Sequence, residues 1–272
     1  MKTGRLLPGA ALLFLGLYAY QAILRHMPGG ALALPALPGG DHATTLYFLL
    51  FSLLHAAYLI GWRHALAFFA LSAAISWGFE QFGVMTGLVY GPYHYTDRFG
   101  PRLGHVPLVI PLAWFMMIYP SYVIARLILT GRADTTPGQD VNPIALAAVG
   151  ALVMTAWDVG IDPLMSRPPM QAWVWERGGL FFGVPLHNFA GWLLTTFTIF
   201  LIYGLLERRF RPRPAGPITR GAAAIPVIGY AVMALPLVFA ITPLPARLIG
   251  LAAMLIPAGL AGCALLRGRM GG

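Results

Sequence analysis

Charge is scarce in this chain. Of its 272 residues only 10% are charged, against roughly 25% in an ordinary soluble domain. Acids are scarcer still, with 9 Asp+Glu against 18 Lys+Arg, and Lys2 is the one lysine. With 58% hydrophobic residues and a mean hydropathy of +0.72, a water-soluble globule of this size cannot hide its apolar surface. A soluble enzyme, a disordered segment and a nucleic-acid binder are therefore excluded. The net charge of +9 then reports membrane orientation and anionic headgroups, with no nucleic-acid partner. Cysteine is almost absent: Cys263 stands alone in an apolar stretch, which rules out an internal disulfide and a cysteine metal site. The seven histidines show no HxxxH or HExxH spacing, so no metal is expected. No Ser or Cys has the setting of a nucleophile elbow, and no GxGxxG follows a strand pattern.

What the chain does have is long apolar spans. Candidates run over 6–24, 43–61, 64–83, 107–129, 143–163, 184–206, 222–241 and 245–266, each close to the roughly 20 residues a membrane-crossing helix needs. The first follows Lys2 and Arg5 like a signal peptide. It lacks a small-residue cleavage site, and many spans follow it, so it is expected to be a retained helix. The expected fold is an all-α polytopic membrane bundle of about eight helices, or seven if one of 64–83, 222–241 and 245–266 fails. It forms a single integral-membrane domain over 1–272. With both termini inside, twelve of the 18 basic residues fall on the inner side, among them the run ERRFRPRP at 207–214. That bias predicts an integral protein of the cytoplasmic membrane with cytoplasmic termini. The segments 27–40 and 130–142 read as connecting loops.

Nine acids are few enough to take one at a time. Asp41, Asp134, Asp140 and Glu207 fall in loops or at a basic helix end, and Asp134 and Asp140 read as solvated loop charges. The other five lie in two unusual stretches. In 77–120, Glu80 sits near the end of an apolar helix with Trp77 one turn back, followed by Tyr90, Tyr93, His94, Tyr95 and Asp97. An ionisable group at membrane depth is by default a functional candidate. Backbone this irregular is tolerated at that depth only where it lines a cavity. In 155–192, Asp158 and Asp162 are four apart, so they share one helix face. Like charges at that spacing repel, so one of the pair is expected to be a carboxylic acid beside a carboxylate, the arrangement general acid catalysis uses. Pro163 should end that helix. Trp157, Trp173, Trp175, Glu176, His187, Asn188 and Trp192 complete the stretch, with Trp173 to Glu176 in a short loop. Both stretches fall on the outer side, where they can converge into one acidic, aromatic-lined pocket. DVGID could also hold Mg²⁺ and a diphosphate, as in membrane prenyltransferases, but a second Asp-rich motif is missing.

Taken together, FGVMTGLVYGPYHYTDRFGPRL, VPLVIPLAWFMMIYPSY, TAWDVGIDPLMS and AWVWERGGLFFGVPLHNFAGW resemble the membrane carotenoid biosynthesis family, which includes carotenoid end-group hydratases. The resemblance covers residues 75–205, a family-like catalytic core. It implies hydration of the terminal double bond of a long acyclic carotenoid to a tertiary alcohol, with water as co-substrate, the lipid bilayer as surroundings, no cofactor, and association with other carotenoid enzymes. The residues suit that chemistry. A carboxylic acid protonates the alkene, while carboxylates and ring faces steady the tertiary cation. Asp158 is the expected acid and Asp162 its charge partner. Glu80 and Glu176 are candidates for cation stabiliser or base, and His187 is a candidate base. Trp77, Tyr90, Tyr93, His94, Tyr95, Asp97, Trp157, Trp173, Trp175, Asn188 and Trp192 are expected to bind substrate. A polyene about as long as the hydrocarbon core, roughly 30 Å, can lie along the helices with its end at the headgroups. Two rivals stand beside this reading. A carotenoid end-group cyclase would protonate the same alkene and exclude water. A proton-coupled lipid transporter would also use intramembrane acids, and inverted repeats, which usually accompany that class, are not apparent.

Overall fold

The computed structural model describes residues 2–26, 35, 37–134, 141–240 and 242–267. Asp140, Arg269 and most of the loop at 27–40 lie outside the described residues. The protein is an all-α bundle with, among the described residues, eight helices long and apolar enough to cross a membrane, and it is a membrane protein. In chain order they are α1 (Lys2–His26), α2 (Ala43–Ile60), α3 (Trp62–Thr86), α4 (Val109–Thr130), α5 (Pro143–Met165), α6 (Leu186–Arg209), a seventh span divided into α7 (Arg220–Val232) and α8 (Leu235–Phe239), and α9 (Leu244–Arg267). All eight agree with the expected spans to within a few residues at each end.

Prolines and glycines explain the departures from regular rods. Pro236 has no N–H to return to the Val232 carbonyl, and the seventh span breaks just before it. Pro163 does not end its helix, contrary to expectation: α5 runs on to Met165, because a proline in the last turn removes only one bond of the ladder. Between α2 and α3 stands the single residue Gly61, at φ +80°. A side chain there would also lie 2.6 Å from the Arg213 carbonyl oxygen, so only glycine makes this reversal.

The most buried helix is α4, which touches α2, α3, α5, α7 and α9. Around it pack Phe68 of α3, stacked on Tyr203 of α6 at 3.7 Å between ring centres, and Phe115 and Tyr122 of α4 edge-on to Phe68. In lipid every backbone polar group must find a partner inside the protein, and α2 supplies partners at two of the proline defects. Pro120 frees the carbonyl of Met116, which accepts from Ser52 Oγ at 2.6 Å. Pro226 frees the carbonyl of Ala222, which accepts from His55 Nε2 at 2.9 Å. A carbonyl cannot donate, so Nε2 carries the proton and Nδ1 accepts from the Tyr119 hydroxyl, at 2.6 Å. His55 is therefore a structural tautomer lock between α2, α4 and α7. His55→Leu is expected to lower stability by about 1–3 kcal/mol for each group left unsatisfied, read as a fall in thermal midpoint in detergent.

Glu207 stands at the arginine-rich helix end, as its sequence position suggests, but it is buried there. It is 6% exposed, receives the Tyr122 hydroxyl, and pairs with buried Arg126 at 3.2 Å. Asp134 is also shielded, in a forked pair with Arg132 at 2.8 Å. The long apolar reach of Tyr122 and Arg126 across α4 to α6 pulls Glu207 inward, which helix-end spacing alone does not reveal.

Candidate active site

Two short strands build the roof of the site. β1 (Tyr93–Tyr95) pairs antiparallel with β4 (Trp173–Trp175), Tyr93 opposite Trp175 and Tyr95 opposite Trp173. The expected loop at 173–176 is thus a strand, as the period-2 patterns Tyr-His-Tyr and Trp-Val-Trp and their aromatic content favour. The pairing also puts the two unusual stretches on the same side of the bundle. Alternation sends Tyr93, Tyr95, Trp173 and Trp175 to one face, the face toward the helix ends. A second, minimal pair, β2 (Arg102–Leu103) and β3 (Val106–Pro107), closes the hairpin before α4.

Under that roof lie three buried carboxyl groups. Glu80, Asp158 and Asp162 are 5%, 0% and 1% exposed, and sit about 9, 10 and 5 Å along the helix axes from the ends of α3 and α5. Each strand serves one acid. Tyr93 and Tyr95 donate to Glu80 Oε2, the latter at 2.7 Å, and Trp114 Nε1 of α4 donates to Oε1 at 3.0 Å. Trp173 and Trp175 donate through their indole N–H to Asp162 Oδ1 at 2.8 and 3.0 Å. Asn188 Nδ2, in the first turn of α6, donates to both Asp158 Oδ2 and Asp162 Oδ2, each at 2.7 Å. Burial first, and then the nearby Glu80 carboxylate, pushes the Tyr93 and Tyr95 phenols well above their usual range. Both therefore remain O–H donors.

The acceptor accounting separates the three acids. Both oxygens of Glu80 and both of Asp162 receive donors, which suits carboxylates, acceptors only. Among the described residues Asp158 Oδ1, which is buried, has no hydrogen-bond partner, and a bare buried carboxylate oxygen is costly. A proton on Oδ1 would remove that cost.

These groups open onto a cavity of about 160 Å³. Glu80, Asp162, Asn188, Tyr90, Tyr93, Tyr95, Trp157, Trp173, Trp175 and Trp192 all line it. Its remaining wall is largely apolar, with Tyr18, Ile110, Met116, Met233 and Pro236 among its residues. Asp158 is not on the wall; it stands behind Asp162 and shares its Asn188 amide.

The other expected residues fall elsewhere. Glu176 and His94 face each other at 3.5 Å on the open side of the roof, both about half exposed. Asp97 is fully exposed and pairs with Arg102 at 2.8 Å. Trp77 donates to the Leu103 carbonyl at the rim, and His187 is exposed in the first turn of α6. None of these five lines the cavity. In the strands the cause is parity: His94 and Glu176 are one residue out of step with the inward face, and a one-residue step turns a side chain away.

Sequence reasoning missed Trp114. It donates to Glu80 and stacks on Trp192 at 4.1 Å between ring centres, and Trp192 lies edge-on to Trp157 at 5.7 Å. The signal available was its depth: a tryptophan five residues inside an apolar span lies below the headgroup level where belt tryptophans sit. Tyr18 and Met233, also on the wall, carry no such signal. Among the described residues, no group of three or more His, Cys, Asp or Glu is placed to hold a metal ion.

A bisanhydrobacterioruberin hydratase from Haloarcula japonica is 34% identical over 163 residues, an alignment covering 57% of this chain and 52% of that protein. The chain thus matches about half the length of that relative. No solved structure matches it. The family model described as carotenoid biosynthesis protein matches residues 42–264, a span that takes in α2 to α8, most of α9 and both carboxyl groups on the cavity wall. On that match, the protein belongs to the carotenoid biosynthesis protein family.

Proposed function

We propose that this protein is a carotenoid end-group hydratase, adding water without a cofactor across the terminal double bond of an acyclic carotenoid. The observation that carries the reading is the cavity itself: buried carboxyl groups and stacked rings on a wall that is otherwise largely apolar. Family membership and the hydratase relative support it.

The proposed steps balance. Asp162, the member of the acid pair on the cavity wall, takes up the proton that Asp158 holds and gives it to the less substituted carbon of the terminal alkene. The cation forms at the tertiary carbon, between the Glu80 carboxylate and the faces of Trp114, Trp157 and Trp192. Water adds its oxygen to that carbon, and its released proton returns to the carboxylate pair. Asp158 serves as the proton store behind Asp162. The Asp158-first order suggested by spacing is thereby reversed, because geometry precedes acidity in choosing an acid. Glu176 and His187 have no part in these steps.

Expression in a lycopene-producing host, with mass spectrometry of the pigments, tests the reading. A gain of one water per reacted end is expected. Unchanged mass with an altered absorption spectrum would make the protein a cyclase, and substrate movement without covalent change would make it a transporter.

We also propose residence in the cytoplasmic membrane with both termini cytoplasmic, on the distribution of arginine. A reporter fused after Gly216 is expected to score cytoplasmic; a periplasmic signal there inverts the orientation.

A further inference from the structure

Beside the acid pair, the cavity wall carries an oxygen that the proposed steps leave unused. Asn188 is 2% exposed and lines the cavity. Its neighbours fix which way the amide is turned. Nδ2 gives one N–H to Asp158 Oδ2 and the other to Asp162 Oδ2, each at 2.7 Å. The reverse turn would set an amide oxygen against two carboxyl oxygens. Oδ1 therefore stands on the other side of the amide from the acids. Among the described residues it receives no donor, and unlike Asp158 Oδ1 it is not sealed by packing. For a side chain this buried, the space that Oδ1 touches is the cavity.

An amide oxygen only accepts, so its ligand must bring an O–H or an N–H. The donors of the roof and of α4 are already spent. Tyr93, Tyr95 and Trp114 give theirs to Glu80, and Trp173 and Trp175 give theirs to Asp162. A hydrocarbon polyene has none to offer. Of the species in the proposed reaction, water and the product alcohol do.

We infer that Asn188 Oδ1 holds the attacking water, and afterwards the new tertiary hydroxyl. This rests on the hydratase reading and deepens it. The water donates one O–H to Oδ1 and turns a lone pair to the tertiary cation. The C–O bond forms as the other O–H breaks, and that proton goes to Asp162, which has just given one up. One side chain thus fixes the acid pair through its N–H groups and the nucleophile through its oxygen, which supplies the orientation the capture step needs.

A cation that meets no oriented water leaves by losing a proton, which returns an alkene. In D2O that alkene keeps the deuterium the acid delivered, so water addition and deuterium exchange are separate masses. The full chain in detergent, given lycopene in D2O, tests the inference by mass spectrometry of the pigments. Asn188→Leu, of similar volume and without the oxygen, should lower the ratio of water added to deuterium exchanged about tenfold, the worth of one hydrogen bond in the capture step. Asn188→Asp, which keeps an oxygen there, should hold the wild-type ratio. Both variants lose the amide N–H groups, so total turnover falls in both and only the ratio reads the water. Asn188→Ala takes the place of Asn188→Leu if circular dichroism shows that variant unfolded. A wild-type ratio in Asn188→Leu, or a ratio in Asn188→Asp as low as that in Asn188→Leu, would overturn the assignment while leaving the hydratase reading in place. A wild-type protein that adds no water overturns the hydratase reading, and the assignment with it.

Discussion

Replacing Asp162 with Asn is expected to lower conversion of an acyclic carotenoid by about 10²- to 10⁴-fold, the usual worth of a positioned general acid. The variant is a clean one. Asn fits the same space, and its Oδ1 can still accept from Trp173 and Trp175, so the roof over the cavity stays latched. What disappears is the exchangeable proton. Its new amide meets the Asn188 Nδ2, donor against donor, at a cost of about 1–3 kcal/mol in stability, which leaves a folded protein to assay. Asp158→Asn is expected to lose activity to a similar degree, since the pair shares one proton through adjacent carboxyl groups. The two variants together decide the order. Wild-type turnover in Asp162→Asn, with a dead Asp158→Asn, would return the acid to Asp158. Activity in both would remove the pair from the chemistry.

The sequence exposed the parts of this protein whose signals are local. Span length and apolarity gave the eight helices because the bilayer imposes one dimension on all of them. The rarity of acids singled out Glu80, Asp158 and Asp162, because charge at membrane depth persists only for a reason. Signals that depend on a partner were lost. Glu207 looks like a surface acid until Arg126 and Tyr122, some 80 residues earlier in the chain, are seen to reach it. Ser52 and His55 look like stray polar residues on an apolar helix until the proline-opened carbonyls on α4 and α7 are placed beside them. Glu176 and His187 were chosen for residue type alone. Strand parity and helix-face angle turned them outward, and a Tyr-x-Tyr opposite a Trp-x-Trp shows that parity once the two are recognised as paired strands.

The same roof frames the second large effect, expected for Glu80→Gln. A neutral alkene in the ground state gains little from a carboxylate, whereas the tertiary cation gains a great deal in a cavity of low dielectric. Removing the charge should therefore lower kcat by about 10²- to 10³-fold and leave KM nearly unchanged, the signature of an interaction made only in the transition state. Local bonding need not change. A glutamine can keep its carbonyl oxygen toward the Trp114 N–H and donate through its amide to Tyr93 and Tyr95, whose hydroxyls can turn to accept. Trp114→Phe is the complement: it keeps the charge and a ring to stack on Trp192, and removes one N–H from Glu80. Its loss of kcat should be the smaller of the two. Full activity in Glu80→Gln would mean that ring faces alone carry the cation. The three donors gathered around Glu80 would then serve only to hold the strands to the helices.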